Sequence, residues 1–506
     1  MNKNILLIKH LSLLSRVLII IKLILNKVKI FISLIIILSV LPIHSDSYHN
    51  INGFFGERAT GLGGAYSGVS DDPAGAYYNP AGLAYAYDNS ISLSASNLTR
   101  TKKTYENVIG PGQGYGRNSQ NYTPNFFGLV RSAGSGKIGF SIVNPVNDTF
   151  QRNDQIQSPL YYTDISNLKN YNRESFNILN VGLSYAEPIN SKLSWGTTIY
   201  FTSDTASTTS TQMLQLKDKS YITNTLNDNR RTLGVLPILG LMYTPTDKIS
   251  FGASIRHQFV TAGNRLINTF DAGSAAVSTD NITFVEGTNQ AYGGIRGNTI
   301  FKGPAPTGKV PETTEIRSGF AFFPNRTIMA AFDVIYTSAF SHRQSNTELI
   351  YSPSSTTISF TDSENLELKR YSTLNFAGGT EIYITEFMSI RLGGYTNYAN
   401  SKPLSWTNTA LSAINKNLGD TETIYNQNNL AVNYKISGLR ENPRNEYVNN
   451  IGYCFGFSFS TAKASIGINL IKELGYGVSQ IDSTRPLQSM TYDSSSVYII
   501  VSSRNN

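Results

Sequence analysis

The sequence predicts an all-β fold: a transmembrane outer-membrane β-barrel of about fourteen antiparallel strands with a small N-terminal helical hatch in the lumen. Segments that alternate between apolar and polar residues recur along most of the chain, and short turns alternate with long polar connections. After residue 47 no helix-length apolar stretch occurs. A chain that crosses a membrane without such helices must form a closed barrel, because only closure satisfies every backbone hydrogen bond in lipid.

Residues 1–47 differ from the rest and are predicted to be a secretory signal peptide. They are rich in Leu and Ile, begin with a positive region and end on Ser45-Asp46-Ser47, a small-residue cleavage pattern. The leader is long for one signal, so either translation starts nearer Leu25 or the positive region is extended; a retained transmembrane helix is the alternative. Six cations and one anion lie here, so five of the eight net positive charges belong to the leader. The charge therefore predicts no nucleic-acid partner.

Residues 48–89 form the second predicted unit, which we call the hatch segment. Its residues 53–87 are dense in Gly, Ala and Tyr, and a seven-residue unit occurs twice in a row, as DPAGAYY (72–78) and NPAGLAY (79–85). Asp and Asn are good N-caps and Pro suits the first helical position, so we expect two short helical turns. A flexible linker is the alternative, but Tyr and Leu recur too regularly for a solvated segment.

The pattern G-x-R-A-x-G-L-G-G-A-Y at residues 56–66, followed by D-D-P and Y-x-N-P-A-G-L, resembles the N-terminal segment of the outer-membrane long-chain fatty-acid transporter family. The resemblance implies that this segment fills the barrel lumen as a hatch, with Asn79, Pro80 and Ala81 directed toward the wall. It is also consistent with the strand number. It implies passive transport of hydrophobic small molecules, long-chain fatty acids or similar, across the bacterial outer membrane.

Residues 90–506 are predicted to be the barrel, built from six hairpins with an opening strand (90–98) and a closing strand (496–502). The tight turns are predicted near residues 132–136, 187–191, 244–247, 324–326, 385–386 and 461–462. The long connections are expected to be polar loops at residues 147–173, 203–231, 261–312, 338–369, 398–449 and 476–489. Short turns at one rim and long loops at the other are typical of outer-membrane barrels. A large soluble β-sandwich, the alternative, does not explain this asymmetry.

Two segments show the alternation most clearly. In residues 249–259 one face carries Ile249, Phe251, Ala253, Ile255 and Phe259, with His257 as its one polar residue. The other face carries Ser250, Gly252, Ser254, Arg256 and Gln258. In residues 451–459 apolar and aromatic residues alternate with Gly, Cys454 and Ser458 in the same way. An apolar face toward lipid and a small, polar face toward the lumen are what a transmembrane barrel requires.

The sequence offers no catalytic residues and indicates neither a metal nor a cofactor. His257 and His342 lie far apart without ligand-spaced partners, and no hydrolase, metalloprotease or CxxC motif occurs. The GSGK stretch at residues 134–137 lacks the outer residues of a phosphate loop and is predicted to be a hairpin turn. Cys454 is the single cysteine and is expected to be a small lumen filler. We therefore expect a protein that is not an enzyme.

The third strand, at residues 137–145, ends on Asn144-Pro145. Proline cannot donate to a β-ladder, so we expect it to bend the strand or to end it early. The family that this chain resembles has a kinked third strand that opens sideways into the membrane beside the hatch, so the resemblance implies the same feature here. Asn144 and Pro145 are therefore a candidate lateral gate, and a strand that simply stops there is the alternative.

Charged residues on the inward faces are expected to form structural ion pairs. Centring one turn on Asn325 places Arg317 opposite Asp333, and centring the next on Glu386 places Glu381 opposite Arg391. Cross-strand opposite charges stabilise a sheet by roughly 0.2–1 kcal/mol per pair. Reversing both charges of either pair together is expected to leave folding and transport intact.

Arg256 is the candidate ligand contact that remains. Centring its turn on Thr246 places Arg256 opposite Leu236 and beside Ile238 and Met242, without a carboxylate partner. An apolar surface with one unpaired guanidinium suits a fatty acid, whose carboxylate would meet the guanidinium. The alternatives are that Arg256 pairs with a loop Asp or Glu or lies in water near the rim, and a slip at the turn would also change its neighbours.

The sequence is compatible with two functions. The first is the transport implied by the resemblance, with a hydrophobic small-molecule ligand, outer-membrane lipid and the barrel-insertion machinery as partners of a monomeric protein. The second is a non-transport role, in which the long outer loops of the barrel act as a scaffold, shuttle or binding surface for secreted proteins.

Overall fold

The structure is a computed structural model, and fourteen of its strands close into an antiparallel barrel. It describes residues 49–122, 124–158, 165–217, 221–274, 297–302, 311–344, 347–352, 358–362, 366–400, 421–425, 431–435, 446–479 and 487–503. The predicted leader and the alternative translation start near Leu25 lie outside these residues. Each barrel strand pairs with its neighbour in the chain, and the last pairs with the first, Leu98 opposite Val497. The predicted fold class and strand number are confirmed.

The barrel strands differ greatly in length. They are β1 (Ser90–Gly110), β2 (Phe126–Ala133), β3 (Gly136–Gln157), β4 (Ile165–Pro188), β5 (Leu193–Leu216), β6 (Tyr221–Thr246), β7 (Ile249–His257), β8 (Thr314–Asn325), β9 (Ile328–Thr337), β10 (Thr373–Thr385), β11 (Met388–Asn397), β12 (Glu446–Ser460), β13 (Ala464–Ser479) and β14 (Gln488–Ser503). The six predicted turns all fall between paired strands of this set.

Several segments that we expected to be loops are strands. Residues 147–157 continue β3, and residues 203–216 continue β5 in an unbroken register with β6. Side-chain hydrogen bonds run along this extension, as between Thr209 and Asn227 (2.9 Å). Thr has high β-propensity, and polar side-chain pairs across the ladder stabilise a sheet that is exposed to water. The polar composition of these segments correctly predicted that they are exposed to water, but the prediction that they are irregular loops is wrong.

Further strands are attached outside the barrel ring. Phe259–Ser274 pairs with the outer part of β6. The remaining short strands form hairpins and bridges on the long-loop side: Gly297–Lys302, Phe340–Gln344, Thr347–Ser352, Ile358–Asp362, Leu366–Arg370, Thr421–Tyr425 and Ala431–Lys435.

The outward face carries the apolar side chains, as the alternation predicts. Phe251 and Ile255 are 48% and 44% exposed, whereas Ser250 and Ser254 between them are buried. Such side chains form a band around the barrel, as expected of a wall in contact with lipid. No helix among the described residues is long and apolar enough to span a membrane.

The second strand is broken, and the ladder on one of its sides stops at the break. Strand Gln113–Tyr122 and β2 continue one register along β1, with only a short interruption at Pro124. On the other side, β2 pairs with β3 only as far as Val143, and a last bond runs from Asn144 N to Asn125 O at 2.9 Å. Farther out, β3 is laddered to β4 alone among the described strands. We call the unladdered join between residues 113–122 and 146–157 the seam.

Pro145 lies at this point, in a register shift between Val143 and Val146 on the β4 side of β3. The strand continues past it to Gln157, so the simple alternative of a strand that stops at Asn144 is wrong. A residue without an N–H is compatible with a bulge, where the ladder is locally interrupted. The gate role of Asn144 and Pro145 stays a prediction.

The hatch segment packs inside the barrel. It contains α1 (Glu57–Gly61), α2 (Gly75–Tyr78) and a 3₁₀ helix (Pro80–Tyr85). The last two match the two expected helical turns closely, and α1 is an additional helix. Its aromatic residues share one buried cluster with wall side chains such as Tyr200 and Ile335. The hatch segment is thus part of the main core of the described molecule.

Wall glycines allow this packing, because the hatch backbone approaches the wall without room for a side chain. A Cβ at Gly196 would lie 2.5 Å from the Pro80 carbonyl, and one at Gly393 would lie 2.5 Å from the Leu62 carbonyl carbon. A Cβ at Gly252 would overlap Ser67. Distances under 3 Å between backbone and Cβ cannot be relieved by rotating a side chain. Glycine is therefore required at these three wall positions, where the hatch backbone approaches most closely.

We expect Gly196→Ala to lower the free energy of unfolding by about 1–3 kcal/mol, because the added methyl overlaps hatch backbone. The matched control is Gly378→Ala, where a Cβ would make only ordinary contacts, the nearest at 3.5 Å. Urea unfolding in detergent, read by the gel mobility of the folded barrel, measures both. Equal stability of the two variants would contradict the close packing of wall and hatch segment.

Candidate functional site

Wall hydroxyls satisfy the backbone carbonyls of the hatch segment. Ser194 donates to Ala81 O (2.9 Å), Thr198 to Ala76 O (2.8 Å) and Ser254 to Tyr78 O (2.7 Å). These carbonyls belong to residues of α2 and the 3₁₀ helix and have no place in a regular ladder. A buried carbonyl without a partner is costly, so the polar inward residues at this level are required by the hatch segment.

Asp333 does the same for backbone N–H groups. Its Oδ2 accepts from Tyr66 N (3.1 Å), Ser67 N (2.9 Å) and Ser67 Oγ (2.6 Å). The predicted Arg317–Asp333 pair is therefore wrong. Gly319, not Arg317, lies opposite Asp333, and Arg317 pairs with Glu315 at 2.5 Å. The turn is centred one residue later than predicted, which moves the pairing by two residues and keeps both side chains on the inward face.

Asn79 joins the hatch segment to the wall. Its Nδ2 donates to Ser67 O (2.9 Å) and to Leu241 O of β6 (3.0 Å), while its Oδ1 accepts from Ala81 N (3.2 Å). The same side chain thus caps the 3₁₀ helix and binds a backbone carbonyl of the barrel wall. Pro80 lies against Gly196, and Ala81 accepts the Ser194 hydroxyl. A role of this segment as a plug stays a prediction.

A buried ion network joins α1 to wall strands β10 and β11. Glu381 lies opposite Arg391 with 2.7 Å between Oε1 and Nε, at the register predicted from the turn. Arg391 also pairs with Glu57 (2.9 Å), and Arg58 pairs with Glu381 (3.0 Å) and Asp71 (2.6 Å). Glu57, Glu381 and Arg391 are almost wholly buried. The pair therefore belongs to a network with the hatch segment, which the strand pattern could not indicate.

Arg256 is not the unpaired guanidinium that the turn geometry suggested. It lies opposite Ile238 rather than Leu236, and Glu315 faces it from β8, on the side away from its own hairpin. Arg256 Nε is 3.3 Å from Glu315 Oε1, its Nη2 donates to Tyr77 O (2.9 Å), and its guanidinium stacks over the Tyr77 ring at 4.3 Å. The prediction considered only the hairpin partner and so missed Glu315. We therefore withdraw the carboxylate site at Arg256.

A cavity of about 570 Å³ lies above the hatch segment. Hatch residues Ile51, Phe54 and Tyr77 line it together with wall residues. Leu236 and Arg256 line it too, whereas Ile238 and Met242 are buried on either side of Gly240, against which Asn79 packs. The volume is that of a small-molecule site. Two of the four predicted ligand residues therefore reach the cavity.

The seam borders this cavity. Asn121, Asn125, Asn144, Pro145 and Asp148 line it. Across the seam Asn121 donates to Asp148 Oδ1 (2.7 Å) and accepts from Thr149 N (3.1 Å). Farther out, Arg152 contacts Gly116 O. Side chains hold the two edges together here, where a backbone ladder would otherwise do so.

The first residues of the hatch segment reach from one wall to the seam. Asn397 of β11 exchanges two hydrogen bonds with the Ile51 backbone, at 3.2 and 2.7 Å. Three residues later, Phe54 O accepts from Asn125 Nδ2 (2.9 Å) at the end of the ladder. The hatch segment therefore contacts the residues at which the seam begins.

Glu473 and its donors form a cluster that the sequence did not indicate. The carboxylate accepts from Asn450 Nδ2 (2.8 Å), Asn397 Nδ2 (3.3 Å) and the Tyr395 hydroxyl (3.0 Å). In the sequence, the alternation of apolar and polar residues around position 473 places Glu473 on the inward face. Nothing else in the sequence pointed to this cluster. Among the described residues, no group of three His, Cys, Asp or Glu side chains could hold a metal ion.

The fold matches hydrophobic-compound channels of known structure. The toluene transporter TodX of Pseudomonas putida superposes with a TM-score of 0.54 over 92% of this chain and 100% of that chain, at 12% identity. The CymD monoaromatic hydrocarbon channel gives 0.51 over 91% and 99%, at 14% identity, and the toluene transporter TbuX of Ralstonia pickettii gives 0.51 over 90% and 100%, at 12%. No family model and no curated protein matches the sequence. At these identities the likeness shows the fold alone.

The ion network changes the expected effect of reversing charges. In Glu381→Arg/Arg391→Glu the new Arg would face Arg58 and the new Glu would face Glu57, so the double reversal should destabilise the barrel by about 3–5 kcal/mol or more. Reversing Glu57 and Arg58 as well should recover part of this loss, because the three pairs among these four residues are then of opposite sign, whereas the new carboxylate at position 58 would face Asp71.

Unfolding midpoints of the wild type, double and quadruple variants measure this coupling. A double variant as stable as the wild type would show that the network contributes nothing across the wall–hatch contact.

Proposed function

We propose that this protein lets hydrophobic small molecules, long-chain fatty acids or similar amphiphiles, pass passively across the bacterial outer membrane. The observation that carries the proposal is the cavity above the hatch segment, which is bordered by the seam. A molecule that reaches the cavity from outside meets the packed hatch segment below it. The seam then offers a sideways route along which no backbone ladder has to break.

The position of the seam, close to apolar side chains on the outward face, supports this route. Val143, the last laddered residue of β3 toward β2, pairs on its other side with Asn180, next to the exposed Leu179. The seam therefore begins where outward apolar residues are still present. An apolar ligand that leaves here would enter the membrane without crossing bulk water, which favours transfer of hydrophobic over polar solutes. Asn144 and Pro145 are the residues we propose as the gate.

The related fold is consistent with this proposal. The similar channels named above carry toluene or monoaromatic hydrocarbons according to their names. The apolar outward band suits an outer-membrane location, with the barrel inserted as a monomer by the barrel-insertion machinery. The strand extensions on the long-loop side leave a scaffold role as the second candidate, in which surface proteins rather than apolar solutes would bind.

A reversible cross-link of the seam tests the route. In a Cys454→Ser background, Asn121→Cys/Asp148→Cys joins the two edges where their side chains now hydrogen-bond. We expect oxidation to reduce uptake of a labelled long-chain fatty acid and of a labelled alkane by about tenfold or more, and dithiothreitol to restore it, because the seam must part for either tracer.

The matched control is Thr209→Cys/Asn227→Cys, a directly opposite pair in the laddered extension of β5 and β6. Its oxidation should leave uptake unchanged. Full uptake through the oxidised Asn121–Asp148 variant would contradict the lateral route. Uptake that does not depend on the protein at all, together with specific capture of surface proteins, would favour the scaffold role.

A further inference from the structure

Glu473 lies on the cavity wall with its charge opposed by neutral donors only. Two carboxamides and one phenol hydroxyl donate to it, and no cation lies within ion-pair distance among the described residues. Two other acids that line the cavity have cations: Glu315 has Arg256 and Arg317, and Asp204 has Arg230. Glu473 is thus distinct among these acids.

The carboxylate retains capacity for a further donor. Its two oxygens offer about four acceptor sites, and three donors occupy them. Glu473 itself lines the cavity, so a ligand there can approach it. A hydrogen bond to a charged acceptor is stronger than one between neutral groups, particularly where water is scarce.

Apolar surface lies beside this acceptor. Ile471, two residues earlier on the same face of β13, lines the cavity, as do Tyr498 and Tyr395. The Tyr395 ring packs edge-on against Phe54 of the hatch segment, with 4.8 Å between ring centres. The site therefore combines one anionic acceptor with an apolar floor, which is the pattern of an amphiphile site.

We propose that Glu473 receives the head group of an amphiphile that donates hydrogen bonds, a hydroxyl or a protonated amine, while its alkyl chain lies on the apolar floor. The inference rests on the proposed function and narrows its substrate class. A free carboxylate is disfavoured at this place, because two like charges repel in a site of low dielectric constant. Arg256, already paired with Glu315, does not offset this repulsion by providing a free cation.

Equilibrium binding of labelled probes to the purified protein in lipid nanodiscs tests the proposal, with empty nanodiscs correcting for partition into lipid. The probes share one chain: dodecan-1-ol, dodecylammonium, dodecanoate and dodecane. We expect the wild type to bind the alcohol and the ammonium about tenfold more tightly than the alkane, and dodecanoate no better than the alkane.

Glu473→Gln keeps the side-chain shape and removes the charge. We expect it to weaken dodecylammonium binding by about tenfold and dodecanol binding by about threefold, with dodecane unchanged. Loss of the ammonium preference alone identifies the amine as the favoured head group, whereas parallel losses for both identify the shared donor chemistry. The control is Glu187→Gln at the short-turn rim, outside the cavity lining, which should change none of the affinities.

Equal affinity of the wild type for all four probes would overturn the inference, whether or not the variant folds. So would a folded Glu473→Gln variant that binds every probe as the wild type does. Dodecane uptake by cells separates the two proposals: if it depends on the protein while Glu473 has no effect on head-group choice, transport stands and this inference fails.

Discussion

The close packing of the hatch backbone against the barrel wall is the constraint on which most of the lumen depends. A short, partly helical segment leaves many backbone groups outside any regular ladder, and burial makes each of them costly. The wall carries glycine where the hatch backbone approaches closely, as at Gly196. It supplies hydroxyl donors such as Ser254 to hatch carbonyls, and the Asp333 carboxylate accepts from hatch N–H groups. Much of the polarity of the inward face is therefore structural.

This constraint also changes how the inward charges are understood. In an open pore, arginines and carboxylates on the wall would face water and solutes. Here Arg391 and Glu381 are paired with Glu57 and Arg58 of the hatch segment, so they join two parts of the fold. Arg256 likewise pairs with Glu315 and contacts Tyr77. Glu473, by contrast, lines the cavity with neutral hydrogen-bond donors around it, which simple counting of arginines would not single out.

The sequence was sufficient for the fold because a barrel wall has a period of two and its turns are short. Turn position predicted which face Arg317 and Arg256 occupy, but the centre of each turn lies one residue later than expected, which moved both registers by two residues. Glu381 and Arg391 were placed correctly because their hairpin follows the expected turn centre. Contacts between hairpins, such as Arg256 with Glu315, depend on the stagger between hairpins, which no single turn specifies. The Ser, Thr and Asn composition could not separate polar loops from strands that extend into water.

The central claim is that the hatch segment closes the lumen, so that ligands in the cavity must leave at the seam. Single-channel conductance of a variant lacking residues 56–84, compared with the wild type in planar bilayers, tests it most directly. We expect a variant that still folds as a barrel and conducts ions through a large, steadily open pore, while the wild type conducts little. A folded deletion variant with the conductance of the wild type would contradict it.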